Sequence, residues 1–293
     1  MSRLPTLIEP PQRDGRVLAV NKRRLAEMPY FLLTNPPRNT VEIAANQGSP
    51  MNIMMVSGEG PAQLVSFGHE KTADMRVFLQ IQDGQMMRGL MNGSVHIDTI
   101  MGTGRQPYRL PEALYLDELR SLQITFTDIS GAPNTVRVAA LCSRFLAQQV
   151  DPAMERIRNR LNNRQYLSTP YWYTLDEGPI TLGIGATATP QITIGQESHF
   201  QLMQMSAVST GLFDIDIVDT QRGESIISGP QDVHYPIGSD LILGNGNFPY
   251  RFHEPRLFQV GQRLVVTLTN RDAAPNTIHL TLGGRALAVR MWR

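Results

Sequence analysis

Two stretches decide how this chain is read: GTGRQPYRLPEAL, Gly102–Leu114, and GNGNFPYRFHEPR, Gly244–Arg256. Each opens on Gly-x-Gly, which invites comparison with a phosphate-binding loop. Such a loop needs a strand, a glycine turn, and then a helix whose N-terminus faces the phosphate. Here the glycines lead instead into Pro-Tyr-Arg and a segment without a helical apolar period, and no Gly-Lys-Ser/Thr is present. The glycines therefore read as a tight turn, or a close backbone approach, ahead of a strand.

Their recurrence is more informative than their chemistry. Placing Gly102 over Gly244 sets an offset of 142 residues that runs ungapped to Val138, with 13 identities in 37 positions. Gly102, Gly104, Pro107, Tyr108, Arg109 and Glu112 recur as Gly244, Gly246, Pro249, Tyr250, Arg251 and Glu254. Leu122, Thr125 and Thr127 recur as Leu264, Thr267 and Thr269, and APNT at Ala132–Thr135 recurs at Ala274–Thr277. Upstream, PYFLL from Pro29 meets PYWYT from Pro170, and His96 meets His234 if four residues are inserted before the glycines. This is the pattern of one module written twice.

The periodicity within each copy is that of strands. LQITFTDISGAPNTVRVAAL and RLVVTLTNRDAAPNTIHLTL alternate apolar and polar residues, break at a turn, and alternate again. Pro-Asn gives the turn a mechanism, since proline fixes φ and asparagine tolerates the left-handed region. Further strands are expected at 41–44, 52–56, 77–82, 180–184, 191–194, 200–205 and 213–218. The expected fold is all-β, two tandem β-sandwich modules of jelly-roll type joined by a short helical linker. Its parts are an N-terminal arm and basic segment (1–28), a first sandwich (29–145), the linker (146–169) and a second sandwich (170–293). Helix is expected only at the joins. DPAMERIRNRLNN offers Asp151 as N-cap, Pro152 at the first helical position, and Ile157 and Leu161 four apart. Its arginines Arg156, Arg158, Arg160 and Arg164 form a basic face, read as solvated or as a partner contact.

Composition narrows the function. The 293 residues carry 27 Lys and Arg against 26 Asp and Glu, a balance that argues against a nucleic-acid binder held by global charge. Cys142 is the only cysteine, so no intrachain disulfide forms and synthesis in a reducing compartment is expected. The N-terminal sixteen residues lack the apolar core of a secretory signal, and no apolar run reaches the roughly 18 to 20 residues of a membrane span.

Candidate chemistry is sparse. Of six histidines, only His253 beside Glu254, with His279 on a later strand, offers a set that could converge on a metal, and scattered histidines are usually structural. Cys142 sits in apolar company after VRVAAL and reads as an inert buried thiol. No Gly-x-Ser-x-Gly elbow occurs. The duplicated Arg109/Glu112 and Arg251/Glu254 read as ion pairs within a module or contacts between modules. The methionines of MNIMM (51–55) and QMMRGLM (85–91) read as fillers of core or interface space. No catalytic residue, cofactor site or metal site is assigned, and the chain is not expected to be an enzyme.

A family resemblance rests mainly on YRFHEPRLFQVGQRLVVTLTNRDAAPNTIHLTLGGRAL, 250–287, and more loosely on its first-copy counterpart. This stretch resembles the C-terminal strands of bacteriophage virion structural proteins built from tandem jelly-roll modules, of the minor capsid, decoration or double-jelly-roll capsid type. The resemblance implies a structural subunit of a virion, made in a bacterial host's cytoplasm and acting through repeated contacts. Its partners would be other virion proteins and further copies of itself, a trimer among them. No small-molecule substrate, membrane span or direct nucleic-acid contact is implied. The alternative is a carbohydrate-binding tandem module such as a tail receptor-binding component. Its best platform is YLSTPYWYTLDE, Tyr166–Glu177, with Tyr171, Trp172 and Tyr173 together, although the match to PYFLL favours a core strand there.

Overall fold

The segment RLVVTLTN shows why the chain folds as it does. In it Leu264, Val266 and Leu268 are fully buried while the residues between them are not, the period-two burial of a strand with one face on a core. Met75, Val77 and Leu79 behave likewise in the first half of the chain, and Phe213, Ile215 and Ile217 are buried at the same spacing in the second, with Asp216 buried between the last two. A computed structural model describes residues 27–33, 40–50, 52–55, 62–83, 86–116, 120–145, 168–228 and 235–288. The expected helix at 151–163 with its arginines, most of the N-terminal arm, and His234 lie outside the described residues.

The described chain is nearly all β. Its first half contains β1 (Glu27–Leu33), β2 (Val41–Ile43), β3 (Asn52–Met55), β4 (Ala62–Lys71), β5 (Met75–Asp83), β6 (Met86–Gly89), β7 (Val95–His96), α1 (Ile97–Ile100), β8 (Tyr108–Leu116), β9 (Arg120–Asp128) and β10 (Asn134–Phe145). Its second half contains β11 (Ser168–Thr174), β12 (Ile180–Leu182), β13 (Thr187–Ala188), β14 (Gln191–Thr193), β15 (Ser198–Ser209), β16 (Phe213–Asp219), β17 (Glu224–Ser225), β18 (Ile237–Gly238), α2 (Ser239–Ile242), β19 (Tyr250–Phe258), β20 (Arg263–Asn270) and β21 (Asn276–Ala288).

Four antiparallel sheets result among the described residues. In the first half β1-β10-β4-β8 carries β2 beside β10, and β3-β9-β5-β6 carries β7 beside β5. In the second half β11-β21-β15-β19 carries β12 beside β21, and β13-β20-β16-β17 carries β14 and β18. The strand order is the same in both halves, down to the irregularities. The register with the neighbouring strand slips between Leu64 and Ser66 in β4, and between Leu202 and Gln204 in β15. Each half is thus an all-β sandwich, its two sheets enclosing an apolar core.

The pairings also place residues more accurately than the sequence alignment does. His96 pairs with Arg76, and Gly238 pairs with Asp214 in the same position of the other half. Gly238, not His234, is therefore the counterpart of His96, and the 142-residue offset already holds there without an insertion. The two single-turn helices α1 and α2 lie inside the modules, contrary to the expectation of helix only at the joins. Four residues are too few to display an apolar period, so nothing in HIDTI or GSDLI announced them.

The repeated APNT turn keeps its asparagine for a reason other than backbone shape. Among the described residues only Asn46 has a positive φ outside glycine, so neither Asn134 nor Asn276 uses the left-handed region. Both are buried, and their amides bind the neighbouring hairpin instead. Asn134 Oδ1 accepts from Thr72 Oγ1 (2.8 Å) and Ala73 N (2.9 Å). Asn276 Oδ1 accepts from Thr210 Oγ1 (3.2 Å) and Gly211 N (2.9 Å), and its Nδ2 donates to Leu212 O (3.3 Å). Each asparagine ties the β9–β10 or β20–β21 turn to the adjacent β4–β5 or β15–β16 turn, closing one end of its sandwich. Asn276→Ala leaves the partly buried Gly211 amide without its acceptor and unties the two turns, and is expected to lower stability by about 2 kcal/mol in chemical denaturation.

Candidate functional site

The most elaborate site in the chain is the joint between its halves, and it is built around Trp172. This residue belongs to β11 of the second half, yet its fully buried indole packs into the first half's core with Leu90, Met91 and Tyr108. Its Nε1 donates to Tyr108 Oη at 2.7 Å, and Gln204 Nε2 donates to the same hydroxyl from β15. Burial pushes the Tyr108 pKa well above its ordinary value, so the hydroxyl stays protonated and polar. The backbone is joined as well. Trp172 N donates to Leu90 O (3.0 Å) and Asn92 N to Trp172 O (3.3 Å), so residues 90–92 extend the outer edge of β11. Asn92 completes this with side-chain bonds to Thr174 N (2.8 Å) and Thr174 O (2.9 Å). An edge that would otherwise present unpaired groups is thereby covered.

The single turn α1 is pressed onto the outer face of the second half's sheet. Thr99, fully buried, accepts from Ser206 Oγ at its carbonyl (2.7 Å) and from Thr281 Oγ1 at its hydroxyl (2.9 Å). Thr103 N donates to Asn247 Oδ1 (2.8 Å), and Gly246 N to Asp98 O (2.5 Å). Glu112 accepts from Ser168 and lies 3.8 Å from Arg285, while Arg251 donates to Arg109 O (3.3 Å). Two of the four repeated charges, Glu112 and Arg251, thus meet partners in the opposite half, and Arg109 takes part through its backbone carbonyl. His253 and Glu254 line a separate cleft with Asp219, Arg222 and Glu224.

The repeated glycines now separate into two kinds. A Cβ on Gly102 would strike the Gln106 carbonyl, and one on Gly244 the Phe248 carbonyl, so the first glycine of each pair serves its own turn. The second glycines differ. A Cβ on Gly246 would strike the carbonyl oxygens of Asp98 (2.6 Å) and Met101 across the joint, whereas one on Gly104 would meet nothing within 4 Å. Both loops follow a helical turn rather than precede one, which is the wrong geometry for a phosphate cradle.

Beside the joint lies a charged cluster. Asp98 accepts His69 Nε2 (2.8 Å) and Lys71 Nζ (2.7 Å), and Lys71 also reaches Asp74 (2.7 Å). These contacts hold the Asp98 carboxyl well below the usual carboxylate range. Asp74, His96 and Asp98 place ligand atoms within 4.8 Å of one another, but the Lys71 ammonium already bridges the two carboxylates. The cluster is a closed ion-pair network. His253, Glu254 and His279 do not assemble: His253 is on β19, and His279 is two strands away on β21, its ring 4.9 Å from that of His96. Burial lowers the pKa of His96 to about 4, with Lys71 and His69 adding to this and Asp98 and Asp74 opposing it. Burial likewise lowers His279 to about 4, helped by His96 and Arg76 and opposed by Asp74. His96 Nδ1 accepts from Asp98 N (3.3 Å), which requires the neutral ring.

The remaining candidates fall into place as packing. Cys142 is buried on β10. Leu90 and Met91 of QMMRGLM are buried at the joint, and Met87 is exposed. Trp172 and Tyr173 are buried and Tyr171 stacks on Tyr173 (4.8 Å), so the aromatic run is a core strand with no indole platform for a sugar. Tyr250, unlike its counterpart Tyr108, is 41% exposed. Among the described residues no helix is long and apolar enough to cross a membrane.

No protein-family model and no curated protein sequence matches the chain. Among solved structures it is similar over 98% of its length to the whole of a chain in the atomic structure of Sulfolobus Turreted Icosahedral Virus, at 10% identity and a TM-score of 0.24. It is similar over 90% of its length to 54% of the insecticidal δ-endotoxin Cry8Ea1 from Bacillus thuringiensis, at 9% identity and a TM-score of 0.25. A third similarity covers 85% of this chain and 87% of the tandem CBM22-1–CBM22-2 domain of Paenibacillus barcinonensis Xyn10C, at 7% identity and a TM-score of 0.19.

Two outcomes follow from this geometry. Gly246→Ala forces the loop away from α1 and is expected to cost about 2 kcal/mol, while Gly104→Ala stays within about 0.5 kcal/mol, both read from denaturation midpoints. The second concerns acid. His96 and His279 are neutral in the folded chain and protonate near their ordinary pKa of about 6.5 when unfolded. The unfolded state therefore binds more protons between pH 6.5 and 4. Stability is expected to be full above pH 6.5 and to fall as the pH drops toward 4, and His96→Gln with His279→Gln should flatten that slope.

Proposed function

We propose that the chain is a non-enzymatic structural subunit of a bacteriophage virion, a capsid-associated or shell protein made of two copies of one sandwich module. One observation carries the reading. In the first module the end that bears α1 is covered by the second module, with Thr99 and Tyr108 exposed by only 0% and 1%. The same end of the second module is bare among the described residues: Leu241, the counterpart of Thr99, is 75% exposed, and in the loop that follows α2 Phe248 is 63% exposed. A large apolar side chain left exposed where its counterpart is fully covered marks a surface made for association.

The rest of the chain supports cohesion rather than chemistry. The titratable groups that gather beside the joint are engaged with one another, and the sandwiches supply rigid walls whose weak contacts multiply with copy number. The near-neutral charge lets such surfaces approach without strong repulsion. Partners on this reading are other virion proteins and further copies of the chain, which is made in the host cytoplasm and resides in the particle. The test is the native mass of the purified protein by light scattering, with electron microscopy of the assemblies. Closed oligomers or sheets are expected. A protein that stays monomeric at every concentration reached, or that shows hydrolytic activity abolished by His253→Ala, would overturn the reading.

A further inference from the structure

The joint between the two modules is heterologous: the α1 end of one meets the outer sheet face of the other, and the two surfaces differ. A contact of this kind leaves one surface of each sort unused, and repetition from copy to copy makes a ring or a filament. We propose that the unused pair meets between copies, the α2 end of one chain docking on the β4–β10 face of the next. This deepens the structural-subunit reading and rests on it.

Three observations place the partner surface. The first is that the receiving face exists and is open among the described residues. A cleft of about 1540 Å³ is floored by Gly68, Gly104, Ala139 and Leu141 of the first module and bounded on one side by Ser209 and Asn247 of the second. Gly68 pairs with Ala139, and Ser66 with Leu141, as Ser206 pairs with Thr281 and Gln204 with Gly283 in the second module. These are the positions that receive α1 within the chain. There Thr281 is 1% exposed, whereas Ala139 and Leu141 are only partly covered.

The second observation is chemical matching. Inside the chain a threonine, Thr99, hydrogen-bonds to a serine and a threonine, Ser206 and Thr281. At the unused pair all three positions change together: the threonine becomes Leu241, and the serine and threonine become Gly68 and Ala139. The polar trio is replaced by a leucine facing two small residues that leave it room. The charges agree as well, since Arg137 stands where His279 meets the α1 end and exposed Asp240 is on the α2 end, although Arg137 also lies 3.7 Å from the exposed Glu70.

The third observation is Gly104. Among the described residues nothing lies within 4 Å of a Cβ placed at this position, and its φ is not positive. Its counterpart Gly246 is pressed against the carbonyls of Asp98 and Met101 across the joint. Repeating that joint between copies brings Gly104 against the backbone of Asp240 and Leu243, the counterparts of Asp98 and Met101. The second glycine of GTG then has the same role as that of GNG, exercised on a neighbouring molecule.

The test uses the full-length chain carrying Leu241→Asp or Gly104→Glu, both at positions where the monomer has room. Sedimentation velocity and denaturation midpoints are compared with the unchanged chain. Each variant is expected to unfold as the unchanged chain does but to weaken self-association by at least about 30-fold. Mixing the two variants is expected to restore a single intact contact per pair and yield a 1:1 dimer that grows no further. If the unchanged chain assembles and either variant assembles equally well, another surface joins the copies. The cleft is then filled otherwise, for instance by the chain's own first 26 residues, and this proposal is wrong while the structural-subunit reading stands. If the unchanged chain does not self-associate at all, both fail.

Discussion

The hydrogen bond from the Trp172 indole to the Tyr108 hydroxyl is the contact on which the arrangement of the molecule depends. A tryptophan on the first strand of one sandwich is buried in the core of the other, and its single polar atom is satisfied there. Removing the Tyr108 hydroxyl would leave the buried indole N–H unmatched, and with it the Gln204 amide that donates to the same oxygen. That geometry aligns residues 90–92 along the edge of β11, sets α1 on Ser206 and Thr281, and leaves no room for a side chain at Gly246. The joint is therefore specified by several independent contacts that agree.

On the proposed association, the two ends of the modules meet their partners under different conditions. Within one chain the partner is always near, so the joint can be polar and rely on directional hydrogen bonds. Between chains a contact must also offset the loss of translational and rotational freedom, which favours apolar burial. Thr99 with Ser206 and Thr281 suits the first condition. Leu241 with Gly68 and Ala139 suits the second. The differences at these few positions would let two halves of like strand order make two kinds of contact.

Much of the fold was legible in the sequence, because strand periodicity and turn residues depend on local chemistry. The expected strands at 77–82, 200–205 and 213–218 all lie within the observed β5, β15 and β16. What could not be read there depends on tertiary context. The α1 and α2 turns are too short to leave a period, and APNT looked like a backbone turn when Asn134 and Asn276 act through their side chains. Tyr108 and Tyr250 have the same neighbours in sequence, yet one is buried and the other exposed, because only one of the two has a second module over it. Glu112 and Arg251 were recognisable as contact residues, but Trp172 as the centre of the joint was not. Its neighbours Leu90 and Tyr108 are 82 and 64 residues away, and PYWYT carries no mark of which core it enters.

The most direct measurement is a disulfide between the surfaces assigned to each other. Thr99 Oγ1 and Thr281 Oγ1 stand 2.9 Å apart inside the chain, so the corresponding Leu241 and Ala139 of neighbouring copies lie within reach of an S–S bond. The chain carrying both Leu241→Cys and Ala139→Cys, with its one native cysteine buried, is oxidised and run on a denaturing gel without reductant. The account predicts covalent dimers and higher multiples that vanish on reduction and are absent when only one of the two cysteines is introduced. An assembled double variant that yields only single chains would contradict it.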